Sequence, residues 1–187
     1  MEIVNVQFDA FNNPVVLLQP TLHHDNRGWF VETFNAALCE KLGLQPESFV
    51  QDNMSCSKYG VLRGLHYQHN PPMAKLVRVA HGRGIDVVVD IRKDSPTYGH
   101  HAKFELSSHN SRILWVPPGF AHGFLALEDN TCLCYRTTAL YNKLGEGTIN
   151  PLDTTLSIDW DINLQNIILS QKDTSSQSFE EYTNNLI

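Results

Sequence analysis

The 187-residue chain has no apolar run near the ~18 residues needed to cross a bilayer, so no membrane partner is expected. Its start, Met1-Glu2-Ile3-Val4-Asn5, lacks the basic-then-apolar order of a secretory signal, and a cytoplasmic protein is expected. Basic residues are scarce: 14 Lys and Arg stand against 20 Asp and Glu, for a net charge of −6. Such a surface repels phosphate backbones, so no nucleic-acid partner is expected, although a local basic pocket can still hold one small anion. Cysteine is sparse too. Cys39, Cys56, Cys132 and Cys134 form no C-x-x-C pair, and buried, reduced thiols are expected rather than a disulfide framework. Long repeats and low-complexity stretches are absent. With 42% hydrophobic and 18% charged residues, the composition is globular. A chain of this length buries roughly 70% of its unfolded surface, so a core needs no staple.

Helix signals are few. The best internal one is 35–43, where Asn35 can cap, Leu38 and Leu42 are spaced by four, and Gly43 can end the turn. In the tail, Phe179, Tyr182 and Leu186 recur at helical spacing, so a C-terminal helix or tail is expected over 174–187. Almost everything else reads as short strands between turns. Ile85, Val87, Val89 and Ile91 alternate with Asp86, Val88, Asp90 and Arg92. Other strands are expected over 15–18, 29–34, 61–68, 75–80, 103–106, 113–116, 122–127, 132–138, 156–160 and 167–169. Turn formers such as Asn12-Asn13-Pro14, His81-Gly82-Arg83-Gly84, Pro117-Pro118-Gly119 and Gly145-Glu146-Gly147 separate them. The pattern implies an all-β sandwich or barrel, with 1–187 as a single domain.

The densest polar cluster runs from Gln51-Asp52-Asn53 through Arg63-Gly64-Leu65-His66-Tyr67-Gln68 to Lys75. In a regular strand Gly64, His66 and Gln68 share one face, and Gly64 leaves room above His66. A second cluster, Pro117 to Phe124, delivers His122 from a tight turn onto a strand. Together the two resemble the paired motifs of cupin barrels, which are double-stranded β-helices of jelly-roll form. Metal-binding cupins use H-x-H, a downstream carboxylate and a later histidine. Here Gln68 replaces the second histidine and Lys75 stands where the carboxylate is needed, so no metal is expected. Tyr135 shares a strand face with Leu133, where a plain core tyrosine would also sit, and Ser170-Gln171-Lys172-Asp173 follows the last apolar run.

A longer series of motifs is more specific. Arg27-Gly28-Trp29-Phe30-Val31-Glu32, Gln51-Asp52-Asn53-Met54-Ser55, Arg63-Gly64-Leu65-His66-Tyr67-Gln68, Lys75-Leu76-Val77, Asp86 to Arg92, Ser95 to Gly99, Pro118 to Phe124 and Tyr135-x5-Tyr141 occur in order. Over about residues 20–173 the sequence resembles the dTDP-4-dehydrorhamnose 3,5-epimerases. The resemblance implies a metal-free, cofactor-free cupin barrel with few short helices. It implies a homodimer acting on a nucleotide-linked 4-keto-6-deoxy sugar. It assigns His66 as the base, Asp173 as its carboxylate partner, Tyr135 as the acid on the other side of the sugar, and Lys75 a place near the ketone oxygen. Asp86 remains a rival partner for His66. Arg27, Phe30, Glu32, Gln51, Asp52, Asn53, Arg63, His122, Glu146 and Lys172 match substrate-binding positions, and Tyr141 matches the aromatic that stacks on thymine. The chain departs from the pattern at Met73-Ala74, at Leu152-Asp153-Thr154 and at Asp161, in loops expected to border the pocket.

The residue types agree with that chemistry. A C–H beside a ketone becomes acidic only if the enolate oxygen is stabilised, and a lysine in a dry pocket can do this. An imidazole near neutral pH can take the proton, and a carboxylate partner fixes its tautomer. A phenol of ordinary pKa about 10 is a donor at pH 7. C3 and C5 both flank the C4 ketone, so one site can treat both. Alternatives are inversion of one centre only, a GDP-linked substrate, a ketoisomerase, or a non-catalytic sugar-binding cupin. Retention of both His66 and Tyr135 argues against the last two.

Overall fold

The computed structural model describes residues 1–185, so Leu186 lies outside the described residues. Among them, strands dominate: β1 (Glu2–Gln7), β2 (Val15–Gln19), β3 (Leu22–Asp25), β4 (Gly28–Val31), β5 (Gln51–Ser57), β6 (Leu62–Gln68), β7 (Lys75–His81), β8 (Arg83–Asp90), β9 (His101–Ser107), β10 (Ile113–Val116), β11 (Phe120–Ala126), β12 (Thr131–Thr137) and β13 (Glu146–Thr148). Three short α-helices accompany them: α1 (Ala36–Lys41), α2 (Gln171–Thr174) and α3 (Phe179–Asn184). A six-stranded sheet, ordered β1-β2-β10-β7-β12-β5, faces a five-stranded sheet, ordered β13-β6-β11-β8-β9. Every ladder is antiparallel, and β3–β4 stands apart as a two-stranded hairpin. This is the all-β jelly roll expected from the sequence.

Three apolar layers hold it. Between the sheets, Val77, Val79, Val88, Phe104, Leu114, Phe124 and Leu133 form an inner core. The outer face of the six-stranded sheet packs Val16, Leu18, Ile113 and Trp115 against Leu38 of α1. That helix starts where Asn35 accepts from Leu38 N at 2.8 Å and stops before Gly43, whose φ of +70° suits glycine. The outer face of the five-stranded sheet carries Ile85, Val87, Val89 and Ile91, covered by Leu156, Trp160, Phe179 and Tyr182 from the C-terminal segment. Strand β8 is thus buried on both faces, with Asp86 and Asp90 as polar interruptions among its β-branched residues. Helix α3 has a reciprocal cap, Ser178 Oγ to Glu181 N at 3.1 Å and Glu181 Oε2 to Ser178 N at 2.7 Å.

Several expectations need correction. The 156–160 segment is a turn, not a strand: Asp153 Oδ1 accepts from Thr155 N at 2.8 Å and Leu156 N at 3.1 Å. Leu156 and Trp160 alternate because they cover a sheet, not because they belong to one. The 167–169 run contributes one bridge, Ile168 to Val61, and the 29–34 strand ends at Val31. Strands β1, β3, β5 and β13 had no strand signal, and Glu146 of β13 lies in what reads as a turn. Cys39 is buried, but Cys56 is exposed and Cys132 and Cys134 are half-buried.

An irregularity in β6 shapes the site. Opposite His122 and Phe124 of β11 stand His66 and Arg63, three residues apart against two. The extra residue is a bulge in β6. It turns both Arg63 and His66 toward the inter-sheet space, which simple alternation does not allow. Gly64 itself opens no space, because the backbone of β11 packs against it. With φ of +128°, a Cβ there would lie 2.6 Å from Gly123 Cα and 2.8 Å from the His122 carbonyl oxygen. Gly64→Ala is therefore expected to cost about 1–3 kcal/mol from backbone strain alone, and more from the clash, as a lower denaturant midpoint. An unchanged midpoint would show that the two strands can separate without cost.

Candidate active site

A cleft of about 100 Å³ opens between the sheets. Strands β6 and β13 line it from one side with His66 and Glu146. Strands β5, β7 and β12 line it from the other with Gln51, Asn53, Lys75 and Tyr135.

His66 comes from the bulged strand β6, and its ring is 31% exposed, enough to reach the cleft. Its Nε2 meets Asp173 Oδ1 at 2.6 Å. The carboxylate is itself held: Ser170 Oγ donates to Asp173 Oδ2 at 2.7 Å and accepts from Asp173 N at 3.1 Å. Burial would raise the Asp173 pKa, but hydrogen bonds from His66 and Ser170 outweigh it, so the group is held below the ordinary range and stays ionised. Asp86, the rival partner, lies elsewhere, with both oxygens 2.9 Å from His122 Nε2.

Lys75 sits at the start of β7. Its Nζ donates to the His66 carbonyl oxygen at 3.3 Å and faces His122 Nδ1 at 3.5 Å. Burial pushes its pKa down to about 8, against the pull of Asp86 and Glu146. Tyr135 enters from β12 on the opposite sheet. Burial raises its phenol pKa, with the nearby Arg63 opposing, so the hydroxyl keeps its proton at neutral pH. Arg63 is braced by Ser57 Oγ at 3.1 Å.

Glu146, Lys172 and Tyr141 form the cleft's polar rim. Lys172 Nζ lies 2.7 Å from Glu146 Oε1, and Tyr141 donates to Glu146 Oε2 at 3.0 Å. Burial would raise the Glu146 pKa, yet these two bonds bring it below the usual carboxylate value. Gln68 shapes the loop that carries Tyr141, donating to Leu140 O at 3.2 Å and accepting from Asn142 N at 2.8 Å. Gln51 Oε1 accepts from Tyr141 N at 3.2 Å.

The structure thus gathers His66, Asp173, Lys75, Tyr135, Gln51, Asn53, Arg63, His122, Glu146, Lys172 and Tyr141 in or beside one cleft. Four expected residues are not brought there. Asp52 alternates with Gln51 and Asn53, so it points outward and pairs with Arg136 at 3.3 Å. Arg27 pairs with Asp25, Phe30 is 67% exposed, and Glu32 contacts Asn35, all on or beside the β3–β4 hairpin. Of the departures, Met73 lines the cleft, whereas Asp161 pairs with Lys103 at 2.8 Å, away from it. Ser170 and Gln68 had no assigned role. The Ser-x-x-Asp spacing at Ser170 and Asp173 is a helix-cap signal that could have singled out Ser170. Among the described residues, no three His, Cys, Asp or Glu side chains gather as a metal ligand set.

Lys75 provides a direct check on the electrostatics. Its side-chain NMR signal, assigned by comparison with Lys75→Met, is expected to titrate near pH 8. A midpoint at the ordinary lysine value, about 10.4, would show that the amine is solvated.

Comparison with known proteins gives a consistent result. The sequence profile of the dTDP-4-dehydrorhamnose 3,5-epimerase family matches residues 13–181. The dTDP-4-dehydrorhamnose 3,5-epimerase of Methanothermobacter thermautotrophicus is 44% identical over 167 residues, covering 89% of this chain and 90% of that protein. The protein of the same name from Shigella flexneri is 45% identical over 166 residues, covering 88% and 91%. The crystal structure of the Legionella pneumophila dTDP-6-deoxy-D-glucose-3,5-epimerase, in complex with dTDP-4-keto-L-rhamnose, superposes with a TM-score of 0.87 at 39% identity. That match covers 98% of this chain and 94% of that one.

Proposed function

The chain belongs to the dTDP-4-dehydrorhamnose 3,5-epimerase family, and on that premise we propose that it converts dTDP-4-dehydro-6-deoxyglucose into dTDP-4-dehydrorhamnose by inverting C3 and C5. The observation that carries this reading is the delivery of His66 and Tyr135 into one cleft from opposing sheets, with the Lys75 amine beside them. An inversion needs a proton taken from one face of a carbon and another returned to the opposite face.

In this reading Asp173 holds the proton of His66 on Nε2, leaving Nδ1 with a lone pair for the substrate C–H. The C–H electron pair moves into the ring and onto the C4 oxygen. An ammonium has three N–H groups. Lys75 directs two of them to His66 O and His122 Nδ1, and the third is available to the enolate oxygen. Tyr135 returns a proton from the other sheet. His66 is left protonated and Tyr135 ionised, and exchange with solvent resets both. The ketone already supplies the acidity, so the step calls for no nicotinamide, flavin or metal. Arg63 and Lys172 suit the diphosphate. Tyr141, with its ring exposed at the rim, suits the thymine.

The reading extends to a cytoplasmic homodimer. Strand β1 is an edge of its sheet with Ile3, Val4 and Val6 about half exposed, and Trp29 and Phe30 stand out on the hairpin. Edge pairing with a second copy covers that surface, and the hairpin then carries Arg27, Phe30 and Glu32 toward the second copy's cleft. Sedimentation at micromolar concentration is expected to give a dimer. Phe30→Ala is expected to raise KM more than it lowers kcat. A fully active monomer would refute both statements.

Proton NMR of dTDP-4-dehydro-6-deoxyglucose with enzyme in heavy water tests the chemistry. Wild-type enzyme is expected to place deuterium at C3 and C5. His66→Ala should lose exchange and inversion together, by ~10²–10⁴-fold. Tyr135→Phe should return deuterated but little-inverted substrate. Label at a single carbon would mean a single-centre epimerase, and wild-type exchange in folded His66→Ala would remove His66 from the chemistry.

A further inference from the structure

Three side chains run inward from the cleft wall: Lys75 on β7, His122 on β11 and Asp86 on β8. Lys75 Nζ lies 3.5 Å from His122 Nδ1, and His122 Nε2 lies 2.9 Å from each oxygen of Asp86. The His122 and Asp86 side chains are only 8% and 0% exposed. The carboxylate can only accept, so the His122 proton sits on Nε2. Burial, opposed by Asp86, pushes the His122 pKa down and keeps the ring neutral. Its Nδ1 then carries a lone pair directed at the ammonium.

We propose that Asp86 is a positioning residue of this site: by fixing the tautomer of His122, it makes that ring an acceptor that aims the Lys75 ammonium at the substrate's ketone oxygen. The proposal rests on the role given to Lys75 above. With the opposite tautomer, His122 would present Nδ1–H to a cation, and the ammonium would lose one of its two anchors. A packing role alone does not explain Asp86. A wholly buried carboxylate is costly where a neutral side chain of similar size would fill the same space. Its hydrogen-bond partner is a neutral histidine ring rather than a lysine or arginine.

The charged and titratable groups bearing on Lys75 are Asp86 and Glu146, which favour its charge, Lys172, which opposes it, and the His122 ring; His66 meets it through its backbone carbonyl oxygen. Removing the Asp86 charge leaves burial less opposed. Asp86→Asn is therefore expected to lower the Lys75 titration midpoint by about one pH unit. The alkaline limb of the inversion rate should move the same way, and kcat should fall on the order of 10²-fold with KM little changed.

The test uses substrate-free enzyme first. ¹⁵N NMR of wild-type His122 should show Nε2 protonated and Nδ1 bare, and needs no variant to fold. In Asp86→Asn, checked for native circular dichroism, the Lys75 midpoint should drop. A wild-type His122 protonated on Nδ1 would overturn the proposal. So would a folded Asp86→Asn with the Lys75 midpoint and pH–rate profile unmoved. If the free-enzyme readouts behave as expected but wild-type enzyme exchanges no substrate proton, the functional reading fails instead and Asp86 still governs Lys75.

Discussion

The hydrogen bond between His66 and Asp173 joins residues 107 apart in sequence, and the packing of the C-terminal segment decides whether it can form. Asp173 follows β13 by a long excursion over the outer face of the five-stranded sheet. Trp160, 1% exposed and tied by its Nε1 to Pro151 O at 2.9 Å, fixes the middle of that path. Phe179 and Tyr182 fix its end. Burying each of these rings stabilises the fold by roughly 1.5–3 kcal/mol. The same burial sets the position of a carboxylate at the cleft. Stability and site geometry therefore share their residues, and loosening the C-terminal wrap would release Asp173 before it unfolded the barrel.

A second constraint is the gradient of polarity between the sheets. One end of the interior is a dry core of Val, Leu and Phe, and the other end holds a lysine, two histidines and a carboxylate. A buried ammonium is tolerable only where its hydrogen bonds are made. Lys75 has a carbonyl and an imidazole as acceptors and two carboxylates near enough to favour its charge. Its lowered pKa records the remaining cost. That cost accompanies the proposed function, because an amine surrounded by water would do little for an enolate.

Much of this was legible in the sequence, and the gaps have physical causes. Strands buried on both faces, such as β8, announce themselves through β-branched residues. Helix α1 shows its cap and its glycine. Edge elements do not: β1, β3, β5 and β13 lack a second covered face, so their residues are polar or mixed. The 156–160 segment has the alternation of a strand because it covers one. The ordered motifs named most of the residues that the structure gathers at the cleft, yet they could not distinguish Asp52 from its neighbours. Which residue of Gln51-Asp52-Asn53 faces inward depends on register, and register is a property of pairing with β12. The bulge in β6 is a further case. Gly64 inside Arg63-Gly64-Leu65-His66 is a local sign of a bulge or close approach, but it does not tell that Arg63 and His66 will turn to the same side. The hairpin residues Arg27, Phe30 and Glu32 matched the motif, but their contacts with Asp25, His23 and Asn35 stay on or beside the hairpin and away from this chain's cleft.

A barrel of two facing sheets suits a reaction that must address both faces of a flat intermediate. In the proposed mechanism the enolate is planar at the reacting carbon, and its two faces look toward the two sheets. A base on β6 and an acid on β12 need no movement of the sugar between deprotonation and reprotonation, since each waits on its own side. Because the enolate oxygen at C4 is shared by both neighbouring carbons, the Lys75 anchor can stay fixed while the sugar offers C3 or C5 in turn. The direction of the proton transfers then follows from environment. His66 is hydrogen-bonded to a carboxylate and open to the cleft, whereas burial holds the Tyr135 phenol protonated. Exchanging those environments would exchange the roles, so the strand that carries the carboxylate-paired group sets which face loses its proton first.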